Sequence, residues 1–208
     1  MLSDDDRRRA DSIADPAARG RFVTAHAATR LILGRRLAVA PTQLIWRPGR
    51  WGKPAIAGHE GVLRFSLSHS ADRALLAVTG PRDIGVDVER RRLDIDHLRL
   101  SRRYFLPEES MLVAAAHDLD RADIFTRLWT RKEACTKAAG TRMLGRGLRI
   151  PAAEAFDAVH GGVVHDPAGT TPGPWLVFDL TVAAGYHAAV ALDGITPARI
   201  DVRRWQPQ

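Results

Sequence analysis

The sequence predicts an α+β fold. Helical periodicity opens each half of the chain and antiparallel strand-like runs follow it, where an α/β protein would alternate strand and helix. The strand-like runs are also joined by turns too short to hold a crossover helix. The length of 208 residues suits one large domain or two small ones. The repeated helix-to-strand order points to two similar subdomains meeting near residue 100.

The elements follow in order. Residues 17–37 carry Phe22, Val23, Ala27, Leu31 and Ile32 near the helical period, so an amphipathic helix is expected there. Pro41, Pro48 and Gly49 mark a loop. Strands are expected at Val62 to Leu67, Ala74 to Thr79 and Ile84 to Glu89, the last two joined by the turn Thr-Gly-Pro-Arg-Asp. Residues 107–118 and 122–139 read as helices, with Pro107 near a helix start. "GTRMLGRGLRIP" is a glycine-punctuated loop. "PWLVFDLTV" and "YHAAVAL", joined by Ala-Ala-Gly, form a closing hairpin.

Composition narrows the class. Apolar residues make up 45%, enough for an ordinary core, and no run reaches the ~18 apolar residues of a membrane span. The charged start MLSDDDRRR lacks the apolar stretch of a signal peptide, and the single cysteine excludes an internal disulfide framework. A cytoplasmic monomer with no membrane partner is the expectation. The net charge of +7 is uneven: residues 1–104 hold 20 Lys+Arg against 12 Asp+Glu, residues 105–208 hold 11 against 12. A basic half fits a polyanionic ligand. Arginine dominates: of 31 basic residues only Lys53, Lys132 and Lys137 are lysines.

Two constellations bear on chemistry. In "IGVDVER", strand alternation sets Asp87 and Glu89 on one face. Two carboxylates so placed repel unless a cation or the following arginines neutralise them, and a hard cation such as Mg²⁺ takes oxygen ligands. In "LWTRKEACTKAAG", Trp129, Glu133 and Lys137 recur every four residues on one helical face. The expected apolar stripe, Ile124, Leu128, Cys135 and Ala139, lies opposite. Glu133 and Lys137 also suit a plain surface pair, but Trp129 is costly to expose, and a surface covering it would desolvate both. Glu133 would then be a third carboxylate beside Asp87 and Glu89, with Lys137 as a mobile charge for phosphate. Mutual repulsion among the three implies that removing one leaves the metal-free fold no less stable. Elsewhere, Ser68 and His69 end a strand where they could donate to phosphate; a serine nucleophile is disfavoured because strand neighbours point to opposite faces. Gly52 and Pro54 bracket Lys53 in a turn.

Taken in order, Gly-Lys-Pro, Phe-Ser-Leu-Ser-His-Ser, Gly-Val-Asp-Val-Glu, Phe-Leu-Pro-Glu-Glu and Trp-Thr-Arg-Lys-Glu-Ala-Cys-Thr-Lys-Ala-Ala-Gly resemble the 4′-phosphopantetheinyl transferases. The resemblance is to the larger type, which activates peptide and polyketide synthases. It implies two α+β subdomains related by a pseudo-twofold axis, residues 1–104 and 105–208, with the active site at their interface. It implies coenzyme A (CoA) as substrate, an apo acyl or peptidyl carrier protein as partner, and Mg²⁺ or Mn²⁺ as cofactor. Asp87, Glu89 and Glu133 match the metal carboxylates. Glu133 and Lys137 match the catalytic pair, Lys137 meeting the CoA diphosphate. Lys53 and Pro54 match the segment against the nucleotide, Ser68 and His69 the phosphate contacts with His69 on the 3′-phosphate, and Arg9 and Arg21 the N-terminal basic contacts. Ser66 departs from the asparagine common there, and His26 stands where a basic helix residue is frequent. Two other readings stand beside it: a metal-dependent phosphohydrolase or nuclease using the same three carboxylates, and a basic nucleic-acid-binding module that needs neither Asp87 nor Glu133. The second is disfavoured, since aromatics are 6% and do not interleave with the basic runs.

Overall fold

A computed structural model describes residues 1–49, 52–141, 149–153, 160–166, 169 and 172–206. Its helices begin where the sequence supplies caps. Ser3 Oγ accepts from the Asp6 N–H at 3.2 Å while Asp6 accepts from the Ser3 N–H at 3.3 Å, a capping box that opens α1 (Asp4–Asp11). Asp15 caps α2 (Pro16–Leu37) by accepting from the N–H groups of Ala17 and Ala18, with Pro16 at the first helical position. Helix α2 coincides with the expected 17–37. Helix α1 is additional to the expected elements: Ala10 is the only apolar side chain it buries, and its sequence shows no period.

Two short strands, β1 (Trp46–Pro48) and β2 (Pro54–Ile56), pair across the expected loop. Next come the hairpin β3 (Arg64–Ser70) and β4 (Arg73–Thr79), then β5 (Ile84–Arg90). Helices α3 (His97–Tyr104), α4 (Pro107–Ala115) and α5 (Asp118–Ala139) precede β6 (Gly162–Val164), β7 (Trp175–Asp179) and β8 (Tyr186–Asp193). The closing hairpin is β7–β8, as expected. The α+β class holds. No helix among the described residues is long and apolar enough to cross a membrane.

Strand β5 does not extend the β3–β4 hairpin that precedes it. It pairs with β8, in a sheet ordered β5-β8-β7-β6. The sheet therefore takes its edge strand from the first half of the chain, and the expected division at residue 104 is not a break in strand pairing. On the other edge of β5, contact with β3 runs through side chains. The hydroxyls of Ser66, Ser68 and Ser70 accept from the N–H groups of Val86, Val88 and Arg90 at 3.1, 3.4 and 3.1 Å. Three hydroxyls at every second residue satisfy three edge donors that a backbone ladder would otherwise take.

The alternation of β5 sorts its faces. Ile84 and Val86 join Leu176, Phe178, Val190 and Leu192 in one apolar cluster. Gly85, Asp87 and Glu89 face α5, whose Ala134, Cys135 and Ala138 pack on Trp175, Val177, Ala189 and Ala191. Gly85 is what lets helix and strand approach: a Cβ there would stand 2.0 Å from the Ala134 carbonyl oxygen and 2.4 Å from the Ala138 nitrogen. Helix α5 is covered on most of its circumference, so the expected single apolar stripe is incomplete. Phe125 and Leu128 pack on a second cluster with Phe105 and Val113. Trp129 joins it, its ring centroid 5.7 Å from Phe125 and 6.2 Å from Tyr104. Gly140, at φ 62°, ends α5 in a left-handed cap. The loop expected over 140–151 lies largely outside the described residues.

Candidate functional site

Where β5 passes under α5, two carboxylates from the strand meet one carboxylate and one ammonium from the helix. Asp87 is buried, and its Oδ1 accepts from Ser68 Oγ at 2.7 Å and Lys137 Nζ at 2.6 Å. Lys137 Nζ also donates to Ser68 Oγ at 3.0 Å. Glu89 Oε2 accepts from Ser70 Oγ at 2.7 Å. Burial first, then the Asp87 charge, raise Glu89 above the usual carboxylate range, with the Ser70 hydrogen bond opposing. Burial and the Asp87 charge push Glu133 up to about 7, Glu89 adding to the effect and Lys137 opposing it. Asp87, Glu89 and Glu133 thus lie within electrostatic reach of one another.

The donor set fits a hard divalent cation. Asp87 Oδ2 is buried and makes no hydrogen bond among the described residues, although its partner oxygen makes two. A second carboxylate, the half-buried Glu133, has its charge disfavoured by burial and by its neighbours. Both conditions are relieved by a cation with oxygen ligands. Among the described residues no three His, Cys, Asp or Glu side chains already stand at metal-site spacing; the positive charge against Asp87 is the Lys137 ammonium.

The other expected residues fall in three places. Ser68 faces inward with Ser66 and Ser70, and its hydroxyl proton goes to Asp87 rather than outward. His69, its neighbour on the strand, is exposed. It lies near the N-terminal helices: Phe22 is stacked with His26 at 4.0 Å between centroids, and Arg9 Cζ lies 5.9 Å from the Phe22 ring. Burial lowers His26 below its usual range despite Asp6 at 3.3 Å, and the charges of Arg9 and His69 push the same way. Arg9, His26 and His69 thus lie within electrostatic reach of one another. Arg21 sits apart from them, 3.7 Å from Asp15 at the start of α2. Lys53 and Pro54 line a cavity of about 170 Å³ with Arg64, Asp83 and Ala138. There Lys53 Nζ donates to Asp83 Oδ1 at 3.0 Å and the Ala138 carbonyl at 2.6 Å.

Several contributors escape sequence reasoning. Ser70 holds Glu89; the matched two-residue spacing of "SLSHS" and "VDVER" is the available signal. His187 lies opposite Glu89 in the β5–β8 register, with Nε2 2.8 Å from Asp123 Oδ1, and Arg91 donates to the other oxygen of Asp123 at 2.7 Å. Lys132 is not part of the site. It forms a fully buried pair with Glu109 at 2.6 Å and also donates to the Ile150 carbonyl.

The sequence model of the 4′-phosphopantetheinyl transferase superfamily matches residues 83–191, just over half the chain. The chain belongs to this superfamily. The match runs from the residue before β5 to Ala191 within β8, and so takes in Asp87, Glu89, Glu133 and Lys137. The 4′-phosphopantetheinyl transferase HetI of Nostoc sp. is 40% identical over 141 residues, 67% of this chain and 60% of that protein. The 4′-phosphopantetheinyl transferase AcpT of Escherichia coli strain K12 is 35% identical over 113 residues, 54% and 56% of the two chains. The L-aminoadipate-semialdehyde dehydrogenase-phosphopantetheinyl transferase of Xenopus laevis is 30% identical over 125 residues, 52% and 41%. The chain thus spans 60% or less of the length of these superfamily members.

Proposed function

We propose that this superfamily member transfers the 4′-phosphopantetheine group of CoA to a serine hydroxyl of an apo acyl or peptidyl carrier protein, releasing adenosine 3′,5′-bisphosphate. The observation that carries the reading is the Asp87–Lys137–Glu133 group, with the unpartnered Oδ2 of Asp87, inside the stretch that matches the superfamily. The names of the relatives support the same reaction.

Asp87, Glu89 and Glu133 would hold Mg²⁺ or Mn²⁺, which would neutralise the charge on the CoA diphosphate. The serine oxygen forms a bond to the β-phosphorus as the bond from that phosphorus to the bridging oxygen breaks, so the bisphosphate leaves with that oxygen. The serine proton goes to Glu133, directly or through a water. Lys137 turns its ammonium from Asp87 toward the diphosphate. Arg9, His26 and His69 form the basic surface for the 3′-phosphate. The reaction belongs in the cytoplasm, with the chain as a monomer.

The test is intact mass spectrometry of several apo carriers incubated with the protein, CoA and Mg²⁺. A gain of one phosphopantetheine on serine is expected. Phosphate release from CoA with no carrier mass change would instead make this a phosphohydrolase.

A further inference from the structure

Lys53 is the lysine that the transferase resemblance places against the nucleotide, yet its hydrogen bonds run elsewhere. Its side chain is 18% exposed, and its ammonium spans two groups far apart in sequence: Asp83 Oδ1 at 3.0 Å and the Ala138 carbonyl at 2.6 Å. Arg64 Nε lies 3.5 Å from the same Asp83 oxygen. Ala138 is in the last turn of α5, where carbonyls have no helical partner. The left-handed cap serves two of them: Gly140 N–H donates to the Lys137 carbonyl and Thr141 N–H to the Thr136 carbonyl. The Ala138 carbonyl is left for Lys53, which caps the helix in trans with the charge sign that suits a C-terminus.

Both ends of this bridge adjoin the site. Asp83 immediately precedes β5, four residues before Asp87, and its carbonyl accepts from the Asp193 N–H at 2.9 Å at the end of β8. Ala138 immediately follows Lys137. Gly85 brings the backbones of β5 and α5 into contact at the same level. The bridge therefore ties the strand that carries Asp87 to the helical turn that carries Lys137. An ammonium is well matched to this bridge, because its donors reach a carboxylate and a carbonyl in different directions, where a planar guanidinium favours a fork of acceptors.

We propose that Lys53 is a positioning residue. With Asp83 it holds the last turn of α5 against β5 so that Lys137 is correctly aimed, and it makes no direct contact with CoA. The catalytic half of this proposal rests on the transferase reading; the mechanical half does not.

Lys53→Met and Asp83→Asn test it together. In hydrogen exchange, the Gly140 and Thr141 amides lose protection in both variants; unchanged protection overturns the proposal whatever reaction the protein performs. In calorimetry, both variants bind CoA within about twofold of the parent, while kcat for carrier modification falls about tenfold or more in each. Adding either substitution to Lys137→Ala costs no further kcat, because the clip acts through Lys137. A direct phosphate contact gives the opposite pattern. Lys53→Met then weakens CoA about tenfold or more, and Asp83→Asn, which releases the ammonium, leaves CoA binding equal or tighter; that outcome overturns the proposal. Should the parent protein modify no carrier, the transferase reading falls, and the exchange experiment still decides the clip.

Discussion

A carboxylate with its pKa near 7 is half protonated at neutral pH, and Glu133 is in that position. Its folded-state pKa lies above the ordinary value of 4.5, so the stability it contributes is present in acid and is lost as pH rises through about 7. Without divalent cations, stability should fall by on the order of 2–3 kcal/mol from pH 5 to pH 8, read as a lower melting temperature. Glu133→Gln should remove most of that slope, and so should Mg²⁺ with the parent protein. A slope unchanged in Glu133→Gln would separate Glu133 from the site's electrostatics. Asp87 behaves differently, although the sequence treats the three carboxylates alike. It is held by Lys137 and Ser68, so Asp87→Ala should cost about 1–3 kcal/mol instead of relieving repulsion, read as a lower denaturation midpoint. His69 makes a separate case. His69→Ala should raise KM for CoA about tenfold and leave KM for 3′-dephospho-CoA nearly unchanged; equal effects on both would remove His69 from the phosphate cluster.

At the scale of elements, Lys132 shows that a lysine inside a catalytic motif can be purely structural. It sits one residue from Glu133, yet points away into a buried pair with Glu109, whose other oxygen accepts from the Ala152 N–H at 2.7 Å. The pair joins α4, α5 and the segment at 150–152. Lys132→Met should cost about 3–5 kcal/mol by stranding the Glu109 charge, and Lys132→Met with Glu109→Leu should recover much of it; chemical denaturation of the three proteins decides. The elements differ in how plainly the sequence shows them. Helix α2 is legible in its extent but not in its face: of Phe22, Val23, Ala27, Leu31 and Ile32 only Phe22 is buried, and the side that packs carries Ala25, Thr29, Arg30 and Leu33. Helix α5 is only half legible: with both the sheet and the Phe105 cluster against it, its apolar positions no longer form one stripe. Strand β5 is legible as a strand, but nothing near residue 87 marks β8 as its partner. The Asp87 and Glu89 face is readable from alternation, whereas the Lys137 contact with Asp87, 50 residues away, is not. Ser68 reads as a phosphate donor from its sequence neighbours; only the fold shows that it turns inward.

At the scale of the whole molecule, charge and structure divide the chain at different places. The basic excess belongs to residues 1–104, but the sheet that carries the acidic site takes β5 from that half and β6 to β8 from the other. A chain ending after Gly185 should retain the β3–β4 hairpin and lose protection along β5, as hydrogen exchange would show; intact protection of β5 would mean that β8 is dispensable. The pairing of Asp87 with Ala189 also has a consequence in time. On a ribosome the strand with Asp87 and Glu89 leaves the exit tunnel about a hundred residues before its partner, and contacts this distant in sequence form late. Once α5 has followed it out, the nascent chain holds all three carboxylates and the β3 serines that meet two of them, but the strand carrying Asp87 and Glu89 has no backbone partner until β8 arrives.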